Sequence, residues 1–188
     1  MAYRYLEDID RKIIEAIIQI GAQEGVPKVS AQKIAAICDI STYTVFDHFK
    51  TKRNFIESAA QYFEDILLEK IAELTDAQKN IYEIWDIIMD FFIDNPDDTL
   101  YYYSYIHTYG FDPTENNVKS DVFIEMARKF FKEQSTMSNA DLLIVWDYVV
   151  SSSFYYAEKF IHELFPYDEH HKDLVKNLVF KGVESVLK

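Results

Sequence analysis

Residues 41–52 read Ser-Thr-Tyr-Thr-Val-Phe-Asp-His-Phe-Lys-Thr-Lys, and this segment is the most informative part of the sequence about the fold. Ser41 predicts a helix N-terminus, because a serine side chain accepts a hydrogen bond from the free amides of the first turn. Thr51 predicts a second N-terminus in the same way. The apolar residues between them recur at helical spacing, and they are Val45, Phe46 and Phe49. The stretch therefore predicts one short helix followed directly by a longer one.

A short helix and a longer one precede this stretch. Ser30 can cap a helix that closes at Cys38-Asp39, and its apolar residues are Ile34, Ala35 and Ile37. Upstream, isoleucines recur at three and four residues over a first amphipathic helix that ends near Gly25-Val26-Pro27. Two short helices joined by a tight turn, and packed on a longer helix, match the layout of a helix-turn-helix. In that motif the second short helix enters the major groove of DNA.

Specific residues strengthen this interpretation. They are Arg11-Lys-Ile-Ile-Glu-Ala16, Gly25, Val29-Ser30, Ile34-Ala35 and the stretch 41–52. Together they resemble the TetR family of transcriptional regulators over roughly residues 9–63, with Phe55 where the family usually has leucine. The rest of the chain resembles the family only in the number, length and order of its helices.

The resemblance implies an all-α fold of about nine helices. An N-terminal three-helix, helix-turn-helix DNA-binding domain would occupy residues 1–50, and a helical ligand-binding and dimerisation domain would occupy residues 51–188. The resemblance also implies a ligand-responsive regulator, most often a repressor, that binds palindromic double-stranded operator DNA as a homodimer. Two recognition helices about 34 Å apart would then contact successive major grooves.

Side chains at and around the predicted recognition helix are the candidates for contact with DNA. Thr42, Tyr43 and Thr44 start that helix, where side chains reach base edges. Lys52 lies in the first turn of the next helix, where its ammonium and the exposed amides can hold a phosphate. With the positions that the resemblance implies, the predicted DNA-binding residues are Ser30, Gln32, Thr42, Tyr43, Thr44, Phe46, His48, Lys50 and Lys52.

Three residues depart from the family pattern. Phe46 replaces the usual tyrosine and cannot donate a hydrogen bond. Asp39 replaces the usual turn glycine, although aspartate tolerates the left-handed conformation at more cost than glycine. Asp47 places a negative charge on the recognition helix. These departures predict weaker or differently distributed phosphate contacts. They leave an alternative open, an all-helical small-molecule or protein-binding module that has lost sequence-specific DNA binding.

The net charge of −13 argues at first against nucleic acid as a partner. Residues 1–60, however, hold eight basic and eight acidic side chains, so the remainder carries all of the excess negative charge. Such asymmetry favours two parts with different functions. The first part is then a neutral DNA-binding domain with a basic edge at Lys50, Lys52 and Arg53.

Turn and capping signals divide the rest of the chain into helices. A capping box at 75–78 predicts the start of one helix, and the pair Asn95-Pro96 ends that helix and begins the next. A loop at 110–113 precedes a predicted helix over 118–131. A capping box at 138–141 begins a long helix to about Leu164, Pro166 follows that helix, and Asp168 begins the last one.

The second part holds more aromatic residues than a tight small core requires, and this favours a cavity for an apolar or aromatic effector. For any single residue, ordinary core packing is the more frequent explanation. Asp86, Asp90 and Asp147 lie near these aromatics in sequence and would suit a lipophilic cation, although carboxylates more often face water. The predicted ligand-binding residues are Trp85, Met89, Phe92, Tyr102, Tyr103, Ile106, Trp146, Val150 and Phe154.

The last two long helices, over 138–164 and 168–187, would form the dimer interface that the resemblance implies. Such an interface is a four-helix bundle across a two-fold axis. Small residues on the first of these helices would allow close approach, and they are Ser151, Ser152, Ser153 and Ala157.

Other classes of function find no support in the sequence. It has no Ser/His/Asp set, no His-Glu-x-x-His motif and no glycine-rich loop, so we expect no enzyme, no catalytic residue and no cofactor. The acids and histidines at 168–173 lack metal-ligand spacing, and a single cysteine excludes multi-cysteine sites, so we expect no metal. The absence of a targeting segment and of a long uncharged apolar run predicts a cytoplasmic protein that does not enter a membrane.

Overall fold

The computed structural model describes residues 8–77, 79–109, 128 and 138–186. These residues form helices with no strand among them, which confirms the predicted all-α class. Of the predicted helix over 118–131 only Arg128 is among the described residues, and the other eight predicted helices are present. A 3₁₀ turn at Val26–Lys28 follows the first helix. The α-helices are α1 Asp8–Glu24, α2 Ala31–Cys38, α3 Thr42–Phe49, α4 Lys52–Asp76, α5 Ile81–Asp94, α6 Pro96–Thr108, α7 Asn139–Ile161 and α8 Glu169–Val186.

The chain divides into two compact units. Unit 1 is Met1–Glu69 with Asn95–Phe111, and unit 2 is Lys70–Asp94 with Asp112–Lys188. α6 therefore belongs to the same unit as α2 and α3, although α5 separates them in sequence. The functional boundary that we expect after residue 50 is a different division, and it stays a prediction.

In unit 1, α1 packs along α6. The helices come closest at Gly21, where the ring of Tyr101 occupies the space that a larger residue's Cβ would need. The Tyr101 hydroxyl donates a hydrogen bond of 2.7 Å to the carbonyl of Ile56, which keeps this buried polar group satisfied. Three isoleucines of α1 are fully buried in the same unit, and they are Ile13, Ile14 and Ile17.

The 3₁₀ turn is attached to α6 as well. The Val26 amide donates a hydrogen bond of 3.1 Å to Oγ of Ser104. Gly25, which precedes the turn, has φ of 89°, a backbone conformation that is unfavourable for residues with a Cβ. The chain therefore leaves α1 along a defined path into α2.

In unit 2, α5 and α8 pack against each other and α7 packs against both. The indole Nε1 of Trp85 donates a 2.9 Å hydrogen bond to Oγ of Ser153, whose hydroxyl donates in turn to the Val149 carbonyl at 2.7 Å. Phe92 stacks on Phe154 with ring centroids 4.4 Å apart. The aromatic side chains of α5 and α7 therefore form a packed core with its buried polar groups bonded.

Two lysines of α8 pair with the aspartates of α5. Nζ of Lys176 lies 2.9 Å from the Asp86 carboxylate and 2.8 Å from that of Asp173, and Nζ of Lys172 lies 3.2 Å from Asp90. Burial lowers the pKa of Lys176, but its hydrogen bonds to Asp173 and Asp86 outweigh that effect and the pKa rises. Since lysines neutralise Asp86 and Asp90 inside the unit, the structure does not favour either as the partner of a lipophilic cation.

Most of the predicted helix starts carry side-chain caps. Each capping oxygen accepts a hydrogen bond from the amide three residues later. The caps are Ser30 (3.4 Å), Ser41 (3.0 Å), Thr51 (3.1 Å), Ser138 (3.2 Å) and Asp168 (2.9 Å).

The predicted start of α5 is wrong. Thr75 lies within α4, which continues to Asp76, and Asn80 caps α5 instead. The Asn80 side chain accepts from the Glu83 amide at 3.0 Å, and the Glu83 carboxylate accepts from the Asn80 amide at 3.0 Å. This is the reciprocal arrangement of a capping box, five residues downstream of the predicted one.

The predicted end of α7 is also wrong, by three residues. The helix ends at Ile161 because Glu163 takes a left-handed conformation with φ of 55°. The Glu163 amide donates to the Phe160 carbonyl, and the Leu164 amide donates to the Lys159 carbonyl, both at 2.9 Å. This pattern is a Schellman motif, so a local backbone turn and not Pro166 terminates the helix.

Candidate nucleic-acid interface

The turn between α2 and α3 has the geometry of a helix-turn-helix. Asp39 adopts φ of 53° and ψ of 48°, the left-handed conformation that aspartate was expected to tolerate in place of glycine. The amide of Ile40 donates a 3.0 Å hydrogen bond to the Ala35 carbonyl and closes α2. Ser41 then caps α3. The departure at Asp39 therefore leaves the turn intact.

α3 presents an inward and an outward side. Val45 is fully buried and anchors the helix to unit 1. Tyr43, Phe46 and Asp47 lie three and four residues apart on the opposite side, and we call them the outward stripe of α3. Tyr43 is 77% exposed and Phe46 is 42% exposed. The stripe is therefore available to a partner, and its composition is aromatic and acidic.

The two threonines of the first turn differ in their surroundings. Thr42 is exposed at the first position of α3. Thr44 is half-buried, and its Oγ1 lies 2.9 Å from Oγ of Ser41. Thr44 therefore takes part in capping the helix, which limits the freedom of its hydroxyl.

The end of α3 carries the basic residues. Lys50 has φ of 63° and ψ of −48°, and the Thr51 amide donates to the Phe49 carbonyl at 2.7 Å across it. This three-residue turn is a rare and strained type of γ-turn. The Lys50 ammonium donates to the backbone carbonyl of Asp47 and lies 3.7 Å from its carboxylate.

Lys52, in the first turn of α4, is exposed, and its Nζ donates a 3.1 Å hydrogen bond to the carbonyl of Pro27. The ammonium carries three donors, so this bond leaves capacity for a phosphate oxygen. The bond also connects α4 to the 3₁₀ turn, a contact that the sequence did not predict.

His48 is engaged within unit 1. Its Nδ1 lies 2.6 Å from Oδ1 of Asp10 on α1, and both side chains are about three-quarters buried. Asp10 therefore orients the imidazole, and no local sequence signal could identify it, because the two residues meet only through tertiary packing.

The two predicted residues on α2 lie at its start. Ser30 is half-buried as the N-cap, whereas Gln32 is exposed on the first turn. Of the nine predicted DNA-binding residues, six are thus exposed, and Ser30, Thr44 and His48 have partners inside the unit. Contact with DNA stays a prediction for all nine.

The predicted ligand-binding residues fall into both compact units. In unit 1, Tyr102 is buried and donates a 2.8 Å hydrogen bond to the buried Glu64. Burial raises the pKa of Tyr102 well above its ordinary value, and the Glu64 charge adds to the rise, so the phenol keeps its proton. Tyr103 and Ile106 are half-buried beside it in sequence.

The remaining six predicted ligand-binding residues belong to unit 2. All are buried there except Val150, which is half-buried, and the buried ones are Trp85, Met89, Phe92, Trp146 and Phe154. Their placement in a packed core is what ordinary core packing produces, and a role in ligand binding stays a prediction.

Two further observations concern the described part of the chain. No group of three or more His, Cys, Asp or Glu side chains there is arranged to hold a metal ion. None of the helices described has the length and apolar character needed to cross a membrane.

The arrangement of helices matches solved structures along nearly the whole chain. A TetR-like transcriptional regulator from Rhodococcus sp. RHA1 is 17% identical, with 96% of this chain and 99% of that chain covered and a TM-score of 0.68. A TetR family transcription regulator from Marinobacter aquaeolei VT8 is 13% identical, with coverages of 92% and 94% and a TM-score of 0.66. The multidrug binding protein EbrR, solved in complex with imidazole, is 13% identical, with coverages of 94% and 95% and a TM-score of 0.62.

No protein-family model and no curated protein matches the sequence. The structural matches show that the chain has the fold of TetR-family regulators, which the residues around 41–52 predicted. At these identities the likeness concerns the fold.

Proposed function

We propose that this chain, which has the TetR-family fold, is a ligand-responsive transcriptional regulator that binds palindromic operator DNA as a homodimer. We further propose that it acts as a repressor. The observation that carries the proposal is the intact α2–turn–α3 segment, in which a buried Val45 fixes α3 and an exposed stripe faces away from the unit. This is the arrangement by which a recognition helix enters the major groove.

Phosphate contacts would come from the residues that flank α3. Lys50 and Lys52 lie at its C-terminal end and are exposed, and Gln32 is exposed on α2. Cations and amides at such positions fix the orientation of a helix on the duplex without selecting a base. The base contacts then fall to Thr42 and to the outward stripe of α3.

Dimerisation is supported by apolar residues that unit 2 leaves exposed. On α7 they lie at helical spacing with Ser151 among them, and on α8 they lie one turn apart. These residues are Ile144, Tyr148 and Tyr155 of α7 and Leu174 and Leu178 of α8. Of the small residues expected to permit close helix approach, Ser153 and Ala157 are buried within the unit, so they serve its own packing.

The dimer can be tested by sedimentation. The wild-type chain should sediment as a dimer, and Ile144→Asp should shift it to monomer, because a carboxylate in an apolar interface is strongly unfavourable. Leu164→Asp is a matched control, since Leu164 is also exposed but lies outside the proposed interface, in the turn after α7. A monomeric wild type, or a dimer that persists in Ile144→Asp, would count against the proposed interface.

Ligand response is supported by the likeness to EbrR, a protein described as multidrug binding. An apolar effector would bind more tightly to a conformation that fits the operator poorly. It can shift the balance between the two conformations only by its difference in affinity for them. A compound that acts in this way must therefore both raise the melting temperature and weaken DNA binding.

The central experiment is a mobility-shift assay with the gene's own upstream region and with a random duplex library, at about 0.1 M salt, where phosphate contacts still contribute. We expect sequence-selective binding to one palindromic class of site. Uniform weak binding, or none, would contradict the proposal and favour the alternative, an all-helical small-molecule or protein-binding module. The observation that favours this alternative is Asp47, which places a negative charge on the exposed side of α3.

A further inference from the structure

We propose that α3 recognises its half-site through pyrimidine bases, with thymine methyl groups at Tyr43 and Phe46 and the amino group of a cytosine at Asp47. This inference rests on the proposed function and specifies the DNA that the same site selects. It follows from which chemical groups α3 carries, and from which of them are exposed.

α3 lacks the side chains that recognise purines in the major groove. Guanine is recognised mainly by arginine or lysine and adenine by asparagine or glutamine, and Thr42–Phe49 contains none of these four. Its one nitrogen-bearing side chain, His48, is bound to Asp10 through Nδ1. A helix of this composition cannot make the common bidentate contacts to a purine.

The exposed aromatic rings supply apolar contacts instead. Tyr43 and Phe46 are one turn apart and both exposed, and the Phe46 ring lies 6.4 Å from that of the buried Phe55. The contact with Phe55 limits where the Phe46 ring can move, so its exposed part has a defined position. In the major groove the apolar group on a base edge is the thymine C5 methyl, and this is the contact that such rings favour.

Asp47 extends the stripe with a group that only accepts hydrogen bonds when ionised. Its partner in the major groove is the N4 amino group of cytosine. Adenine also offers an amino group, but its N7 acceptor lies beside that group and repels a carboxylate. Lys50 lies 3.7 Å away in an exposed pair, which neutralises Asp47 only weakly. The Asp47 carboxylate, which repels phosphates, can therefore accept a hydrogen bond from a cytosine.

The first experiment removes thymine methyl groups. A site selected from a random duplex library by the wild-type chain is resynthesised with uracil in place of each thymine in turn. We expect about fourfold weaker binding for each contacted methyl, the value of burying one such carbon. The penalty at one position should disappear in Tyr43→Ala and persist in Tyr43→Phe. Full affinity at every uracil substitution would overturn the thymine contacts.

The second experiment changes the acceptor at Asp47. Selection with Asp47→Asn should replace cytosine by adenine at one position of each half-site, since asparagine bonds adenine N6 and N7. The preference for the new base should be about fivefold or more, the low end for one bidentate contact. Glu15→Gln on α1 is the charge-matched control, and it should leave every base preference unchanged. Circular dichroism melting curves of each variant confirm that it is folded.

The outcomes separate this inference from the proposed function. Selective wild-type binding with unchanged preferences in Asp47→Asn would overturn the cytosine contact and leave the regulator proposal standing. A selected half-site with no thymine on either strand, or with no cytosine on either strand, would overturn the inference in the same way. Absence of any selective binding by the wild type would overturn both proposals.

Discussion

Replacing Gly21 by alanine tests whether close contact between α1 and α6 holds unit 1 together. A Cβ at position 21 would lie 2.3 Å from Cδ2 and 2.7 Å from Cε2 of Tyr101, distances that no carbon pair tolerates. The ring must move for the new methyl group to fit. It is fully buried, and its hydroxyl is bonded to the Ile56 carbonyl at 2.7 Å.

Two opposing effects decide the sign of the change. Alanine is favoured over glycine in a helix by about 1 kcal/mol. Overpacking a buried site costs about 1–3 kcal/mol, and losing the Tyr101 hydrogen bond would add about 1 kcal/mol. Because the Tyr101 ring is fully buried and is held by the bond of its hydroxyl, we expect the second effect to dominate. Gly21→Ala should lower the free energy of unfolding by about 1–3 kcal/mol.

The assay is urea unfolding followed by circular dichroism, with the change read from the midpoint at constant slope. Gly182→Ala is the matched control, because its Cβ would lie 3.3 Å from the hydroxyl of the exposed Tyr148, which can move aside. That variant should gain helix stability of up to about 1 kcal/mol.

A double-mutant cycle separates the clash from the helix effect. In a Tyr101→Leu background the smaller side chain leaves room, so the cost of Gly21→Ala should fall or reverse. Equal stabilisation by alanine at positions 21 and 182 would contradict a clash at Tyr101, since it would mean that helix propensity alone decides both.

Three further predictions follow from the caps, the charges and the basic edge. Lys52→Ala should weaken binding to all duplexes to a similar extent and reduce the salt slope by about one, as loss of one phosphate contact does, while Lys181→Ala in unit 2 should do neither. Asp39→Gly should raise the urea midpoint by the equivalent of up to about 1 kcal/mol, because glycine adopts the left-handed turn without strain, and Asp39→Ala should lower it. Burial raises the pKa of Asp98, so its ionisation on the way to neutral pH opposes folding. Asp98→Asn should therefore be more stable than wild type at pH 7, with the gain vanishing below about pH 4, as urea midpoints at the two pH values would show.

Local signals explain why so much of the fold could be predicted. A serine or threonine cap acts within four residues, so Ser30, Ser41, Thr51 and Ser138 marked helix starts correctly. The start of α5 failed because two segments compete for the same chemistry, and the Asn80 pair with Glu83 prevails over residues 75–78. Nothing in the local sequence ranks these alternatives.

In the candidate site, too, the sequence predicts local features but not contacts between distant residues. The position of α3 and the exposure of Tyr43 follow from the spacing around Val45, which the sequence shows directly. The contacts of His48 with Asp10 and of Lys52 with Pro27 join residues far apart in the chain. Such pairs arise from tertiary packing, and a reading of local pattern cannot supply them.

The membership of α6 in unit 1 bears on how such proteins can be recombined. A chimera joined after residue 50 would carry α1 without Tyr101 and the 3₁₀ turn without Ser104, both of which belong to α6. The transferred segment would then pack against an α6 from another protein, and the residue of that helix at the position of Tyr101 would have to fit the space beside Gly21. Exchange of DNA specificity between distant relatives is therefore expected to succeed when α3 alone is replaced, or when residues 95–109 travel with the donor segment. A single crossover at the helix-turn-helix boundary is the arrangement that this contact penalises.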